Sequence, residues 1–132
     1  MSDQASVKSK SEVEKYRVLL TARNHKILAD EPTDKGGGDT APTPYELLSA
    51  ALAACTSVTM RMYAERKGWQ PGEIGVDIEF ETDKAVTTFK RKIHFGDDLP
   101  AEQRERLIAV ANACPVHKVL TGSITVETSE TR

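Results

Sequence analysis

The sequence predicts an α+β fold built from antiparallel sheets around one long cysteine-bearing helix. Three observations predict it. A charge-free apolar run lies inside a stretch with helical start and stop signals at Pro44 to Lys67. Two clean alternations, Ile74 to Phe80 and Phe89 to Phe95, read as a strand pair. A shorter strand pair precedes the glycine-rich segment before the helix. The 132 residues and 14.5 kDa suit one domain. The expected organisation is a solvated tail over 1–11 and a single domain over 12–132.

Residues 1–11 (MSDQASVKSKS) are polar throughout. From Glu12 the pattern turns to strand, with Val13, Tyr16, Val18 and Leu20 set among charges. Thr21 to His25 reads as a turn with Asn24 suited to positive φ, and Lys26 to Asp30 as the return strand. Glu31 to Thr43 is a glycine- and proline-rich loop, long enough to be either functional or a plain connector.

The helix over Pro44 to Lys67 has Thr43 as N-cap, Pro44 at N1 and Glu46 at N3, where it completes a capping box. Gly68 follows as the C′ glycine. Leu47 to Met60 carries no charge, which predicts burial on all sides. In the following strands acidic Asp77 and Glu79 and basic Lys90 and Lys92 form rows that would face each other in a hairpin. His94 reads as a strand-surface residue. A helix is expected over Pro100 to Ala113, interrupted at Cys114-Pro115 because a residue before proline leaves the helical region. A short helix over Val116 to Leu120 and a last strand over Ser123 to Thr128 complete the expectation.

A net charge of −2 argues against a protein held to nucleic acid by bulk electrostatics. No run reads as long enough for a membrane span, and the polar start has no secretory apolar region. Two cysteines, 59 positions apart, are too few for a disulfide scaffold and wrongly spaced for zinc. A cytoplasmic, reducing setting follows, with no metal and no cofactor. Either thiol alone reads most simply as a buried small hydrophobe. Cys114, however, precedes Pro115 and would cap the short helix, where free amides and the positive dipole end lower a thiol pKa. Cys55 lies among small residues and hydroxyls, where an apolar pocket could form beside it.

The run Pro44-Tyr45-Glu46-Leu47-Leu48-Ser49-Ala50-Ala51-Leu52-Ala53-Ala54-Cys55, with the later Cys114-Pro115-Val116-His117, resembles the OsmC/Ohr family (osmotically inducible protein C and organic hydroperoxide resistance proteins). The likeness spans roughly Glu12 to Thr128 and includes the order of elements. It implies an intertwined homodimer with active sites at the subunit interface. It also implies a thiol-dependent peroxidase that reduces organic hydroperoxides, and hydrogen peroxide less well, in stress protection. By that likeness Cys55 is the peroxidatic thiol and becomes a sulfenic acid; Cys114 is the resolving thiol, and an external dithiol resets the disulfide. The resemblance further implies an arginine and a glutamate that activate the thiol. Arg23 is the positional match for the first. For the second, the residue directly after the proline is Tyr45, and Glu46 lies one position later, about 100° round the helix. Glu46 is therefore either the catalytic partner or the capping-box residue. His117 reads as a tuning residue for Cys114 or as a solvated histidine. The alternative function is a non-catalytic dimeric module of the same fold that binds a small apolar or electrophilic ligand. A general disulfide exchanger is disfavoured, since no C-x-x-C motif occurs.

Overall fold

The computed structural model describes residues 4–131. The chain divides into two compact units, Met1–Leu48 and Ser49–Arg132.

The first unit holds a three-stranded antiparallel sheet of β1 (Lys8–Ser11), β2 (Val18–Ala22) and β3 (His25–Ala29), in that order. β1 falls inside the stretch expected to be a solvated tail and corrects that expectation. Its KSKS side chains are all exposed, so its place comes from backbone pairing with β2, Lys8 opposite Thr21 through Ser11 opposite Val18. The residues from Glu12 to Arg17, expected to begin a strand, form the connection instead, closed by an Arg17 to Glu12 ion pair of 3.1 Å. β2 and β3 join through the two residues Arg23 and Asn24. Arg23, not Asn24, takes the left-handed conformation, at φ 54°.

The glycine-rich loop is tied down by Asp30. Its carboxylate accepts the Thr40 hydroxyl (2.6 Å), the Thr40 amide (3.1 Å) and the Glu31 amide (2.8 Å). These three donors, the Thr40 hydroxyl foremost, hold the Asp30 pKa down to about 2. Gly37 permits a close chain crossing here, since a Cβ would stand 2.0 Å from the Glu31 carbonyl oxygen.

Helix α1 (Pro44–Lys67) begins and ends at the expected residues. The Thr43 hydroxyl accepts the Glu46 amide at 3.1 Å while the Glu46 carboxylate accepts the Thr43 amide at 2.9 Å, a reciprocal capping box. Gly68 stops the helix at φ 72°.

In the second unit, β4 (Ile74–Thr82) and β5 (Thr87–Phe95) pair along their whole length. The two charged rows meet as expected, with Asp77 opposite Lys92, Glu79 opposite Lys90, and a Lys90 to Glu81 ion pair at 3.0 Å. Helices α2 (Ala101–Ala111) and α3 (Pro115–Leu120) follow. The core comprises Met60, Ala64, Leu99, Leu107 and Ala111, with Trp69, Ile74 and Phe95 packed against it.

Three expectations are corrected here. Only the stripe Leu52, Thr56, Met60 and Ala64 of α1 is buried, at i, i+4 spacing, while Val58 is 52% and Met62 59% exposed. A single copy of the chain does not surround the charge-free helix. Ser123 to Thr128 forms no strand among the described residues; the alternating Ile124 and Val126 are exposed and have no ladder to join. By length and composition alone α1 would also suffice to cross a membrane, which corrects the reading that no run is long enough.

Candidate functional site

The two cysteines, 59 positions apart in sequence, meet in the second unit. Cys55 comes from the middle of α1, partly exposed; Cys114 is fully buried at the start of α3. Both are free thiols, and their sulfurs are in hydrogen-bonding contact.

The local sequence explains both placements. Pro115 at N1 ends the run-in from α2 and starts α3, leaving Cys114 as N-cap at φ −57°, ψ 128°. Its carbonyl accepts the first bond of α3, from the Lys118 amide at 3.1 Å. The Cys114 sulfur then faces amides that have no partner inside the helix and accepts those of His117 and Val116. Cys55 and Thr59 stand one turn apart on α1, with the Thr59 hydroxyl beside the Cys55 sulfur; Thr56, on the buried stripe, lies beside Cys114 and donates its hydroxyl proton to the Leu52 carbonyl at 2.7 Å.

These donors divide the charge. Burial pushes the Cys114 thiol up, but the bonds from Cys55 and from the His117 and Val116 amides outweigh it and leave Cys114 below the ordinary thiol value. Burial and the neighbouring Cys114 sulfur push Cys55 up, against weaker help from the Val116 amide and Thr59. Of the two thiols, Cys114 is therefore the more acidic and Cys55 the one that holds its proton more tightly.

An arginine that sequence reasoning passed over completes the cluster. Arg91 stands on the β5 face that also carries Phe89, Ile93 and Phe95, and opposite it on β4 is Ile78. Its Nη1 donates to Thr56 Oγ1 at 3.0 Å. Its Nη2 donates to Asn112 Oδ1 at 3.0 Å and reaches His117 Nδ1 at 3.2 Å. Because a guanidinium only donates, His117 Nδ1 is the acceptor and its ring proton sits on Nε2. One signal for Arg91 was present in the sequence: a charge interrupting an apolar row. Its partners, on α1, at the end of α2 and on α3, could not be read there.

The remaining expected site residues belong to the first unit. Glu46 is held by the cap to Thr43. Arg23 lies exposed in the β2–β3 turn. Among the described residues neither forms an ion pair, and they do not pair with each other.

A groove of about 870 Å³ lies near the thiols, although neither cysteine lines it. Thr59 and Pro115, the neighbours of the two cysteines, line one part of it, with Met62, Val110 and Ala113 as its apolar wall. Arg66 and Arg106 also line it, both over the Tyr63 ring, and Arg106 Nε donates to the Tyr63 hydroxyl at 2.8 Å. The volume suits a small organic molecule.

Residues 36–129 match the family described as OsmC-like protein. No curated protein sequence matches the chain. Among solved structures, a protein of Psychrobacter arcticus 273-4 provisionally described as osmotic stress induced and of the detoxification response is 19% identical. It superposes with a TM-score of 0.77 over 90% of each chain. An OsmC-like protein of Mycoplasma pneumoniae is 16% identical, with a TM-score of 0.74 over 92% of this chain and 90% of the other. The organic hydroperoxide resistance protein OhrB of Bacillus subtilis is 21% identical, with a TM-score of 0.63 over 91% and 92%. At these identities the likeness is one of fold.

Proposed function

The chain belongs to the OsmC-like protein family, and we propose that within it the Cys55–Cys114 pair works as a thiol-dependent peroxidase for organic hydroperoxides. The observation that carries the reading is the contact of the two sulfurs inside one set of hydrogen-bond donors. A lone buried thiol needs no such set.

The chemistry follows from the nearness of two thiols of unequal acidity. As peroxide enters, the proton passes from Cys55 to Cys114, and the Cys55 thiolate attacks the nearer peroxide oxygen. The O–O bond breaks, Cys55 becomes a sulfenic acid, and the departing alkoxide takes the proton from Cys114 and leaves as an alcohol. Cys114, a thiolate again, attacks the sulfenic sulfur. The S–O bond breaks, hydroxide leaves and is protonated to water, and a disulfide forms. The sulfurs have only to close to roughly 2.05 Å. An external dithiol reduces the disulfide by exchange. The apolar groove wall favours an alkyl hydroperoxide over hydrogen peroxide, because the alkyl group gains burial there.

Two further parts of the reading are proposals of the same kind. The protein acts as a homodimer in the cytoplasm, protecting against peroxide stress. Support for the dimer is the apolar face that α1 leaves open, with Ala51, Cys55, Val58 and Met62 at alternating three- and four-residue steps. Arg23 and Glu46 are candidates for thiol activation through the resemblance alone. The Glu46 bond to Thr43 favours capping, so the reading does not rest on them.

The test is consumption of cumene hydroperoxide with a dithiol reductant. Cys55→Ser should abolish turnover, and Cys114→Ser should leave a sulfenic acid that dimedone traps. An unaltered rate in Cys55→Ser overturns the proposal. The commitment of Glu46 to its cap favours a second reading, a non-catalytic module that binds an apolar or electrophilic ligand in the groove. Absence of a disulfide after stoichiometric peroxide would select it.

A further inference from the structure

The groove of about 870 Å³ is polarised along its length. One wall comes from α1, where Thr59, Met62, Tyr63 and Arg66 fall at three- and four-residue steps and share a helix face. The other comes from α2 and the turn after it, where Arg106, Val110 and Ala113 keep the same spacing before Pro115. Each wall therefore runs from a neighbour of a thiol to an arginine. Along α1 the path from Thr59 to Arg66 covers about 10 Å at the helical rise.

Tyr63 brings the two arginines to one end. Their guanidinium carbons lie over its ring, Arg66 at 5.8 Å and Arg106 at 5.4 Å from the centroid. The Lys67 ammonium stands 5.7 Å from the same centroid. Like charges repel, and what gathers them here is the face of one aromatic ring together with its hydroxyl, which accepts from Arg106 Nε at 2.8 Å. That bond leaves both Nη groups of Arg106 as donors. Neither arginine takes part in an ion pair among the described residues. Glu65 is the one carboxylate among the described lining residues, so two guanidiniums face one carboxylate and the lining is positive by a single charge. That excess suits a monoanion. The planar fork of a guanidinium matches a carboxylate, and Met62, Val110 and Ala113 offer an apolar body the surface to leave water against.

We propose that this groove is a binding site for an amphipathic organic carboxylate. Arg66 and Arg106 take the carboxylate, Tyr63 fixes the two arginines, and the apolar body lies along Met62, Val110 and Ala113 toward Pro115. Neither cysteine lines the groove, so the site is separate from the thiol pair and the inference does not rest on the peroxidase reading. Met62 also belongs to the open face of α1, which makes a second copy of the chain the competing occupant.

The experiment titrates the reduced natural protein with octanoate, in parallel with octanol and acetate, and contains no peroxide. Trp69 is the only tryptophan and stands edge-on to the Tyr63 ring at 5.7 Å, so its emission reports the site. Octanoate should bind saturably. Octanol, without the charge, and acetate, without the apolar body, should each bind at least about tenfold more weakly. Arg66→Gln and Arg106→Gln should each weaken octanoate about tenfold and leave octanol unchanged. Added salt should weaken octanoate alone. Tyr63→Phe keeps the ring but loses the anchor of Arg106 Nε, and should give a smaller loss, read by titration calorimetry. Arg66 is exposed, so Arg66→Gln carries the test where Arg106→Gln disturbs α2. Octanol bound as tightly as octanoate, or octanoate affinity unchanged in Arg66→Gln, would overturn the proposal. Failure of the natural protein to bind octanoate would also overturn it, and a shift of Arg66→Gln from dimer to monomer in sedimentation would then give the groove to the second copy.

Discussion

The Cys114 sulfur accepts a hydrogen bond from Cys55 and two amides from its own helix, so a fully buried thiol is the more acidic of the pair. Reduced protein should therefore titrate in two separated thiolate steps, one below and one above the ordinary value, read by ultraviolet thiolate absorbance. Cys55→Ala removes one donor to Cys114, and the lower step should move up. A single step of double amplitude at the ordinary value would refute the division of charge.

Asp30 gives the first unit a defined acid limit. Its folded pKa, about 2, lies below the unfolded value of 3.8. The stabilisation is therefore complete above the unfolded pKa and is lost as pH falls from there through about 2. Melting curves from pH 6 to pH 2 should fall more steeply for the natural protein than for Asp30→Asn. Parallel curves would show that the latch to Thr40 contributes nothing. At pH 7, Asp30→Asn should melt a few degrees lower, since an amide cannot accept all three bonds equally.

The reciprocal bonds of Thr43 and Glu46 assign Glu46 to the cap. Thr43→Ala should cost about 1 kcal/mol in denaturant unfolding. Glu46→Gln should cost less, and neither should move the lower thiol step. A shift of that step in Glu46→Gln would return Glu46 to the thiol centre.

The open face of α1 carries the prediction for assembly. Val58→Glu and Met62→Asp place charges on exposed apolar positions and should convert a dimer to monomers in sedimentation velocity. Monomeric natural protein at tens of micromolar would remove the dimer proposal.

Local signals made the elements legible and left their pairing obscure. The bounds of α1 were readable because Thr43, Pro44, Glu46 and Gly68 act within one turn of each end. Cys114 as an N-cap was readable for the same reason: Pro115 is its neighbour. β1 was not, because KSKS has no apolar alternation and its strand geometry comes wholly from hydrogen bonds to β2. Ser123 to Thr128 failed in the opposite sense, since Ile124 and Val126 alternate well but alternation supplies no partner. Arg91 shows the limit most sharply. Its oddity in the row is local, while its explanation lies 35 positions away at Thr56 and 26 away at His117.

The meeting of Cys55 and Cys114 also has a mechanical side. Between the two positions lie the end of α1, all of β4 and β5, and α2. A covalent bond at that point would close a ring around most of the second unit. For a ring of about sixty residues, the loss of freedom in the unfolded chain is worth roughly 4 kcal/mol. Each oxidation would then tighten the unit and each reduction would release it, so the melting temperature itself would record the last encounter with an oxidant.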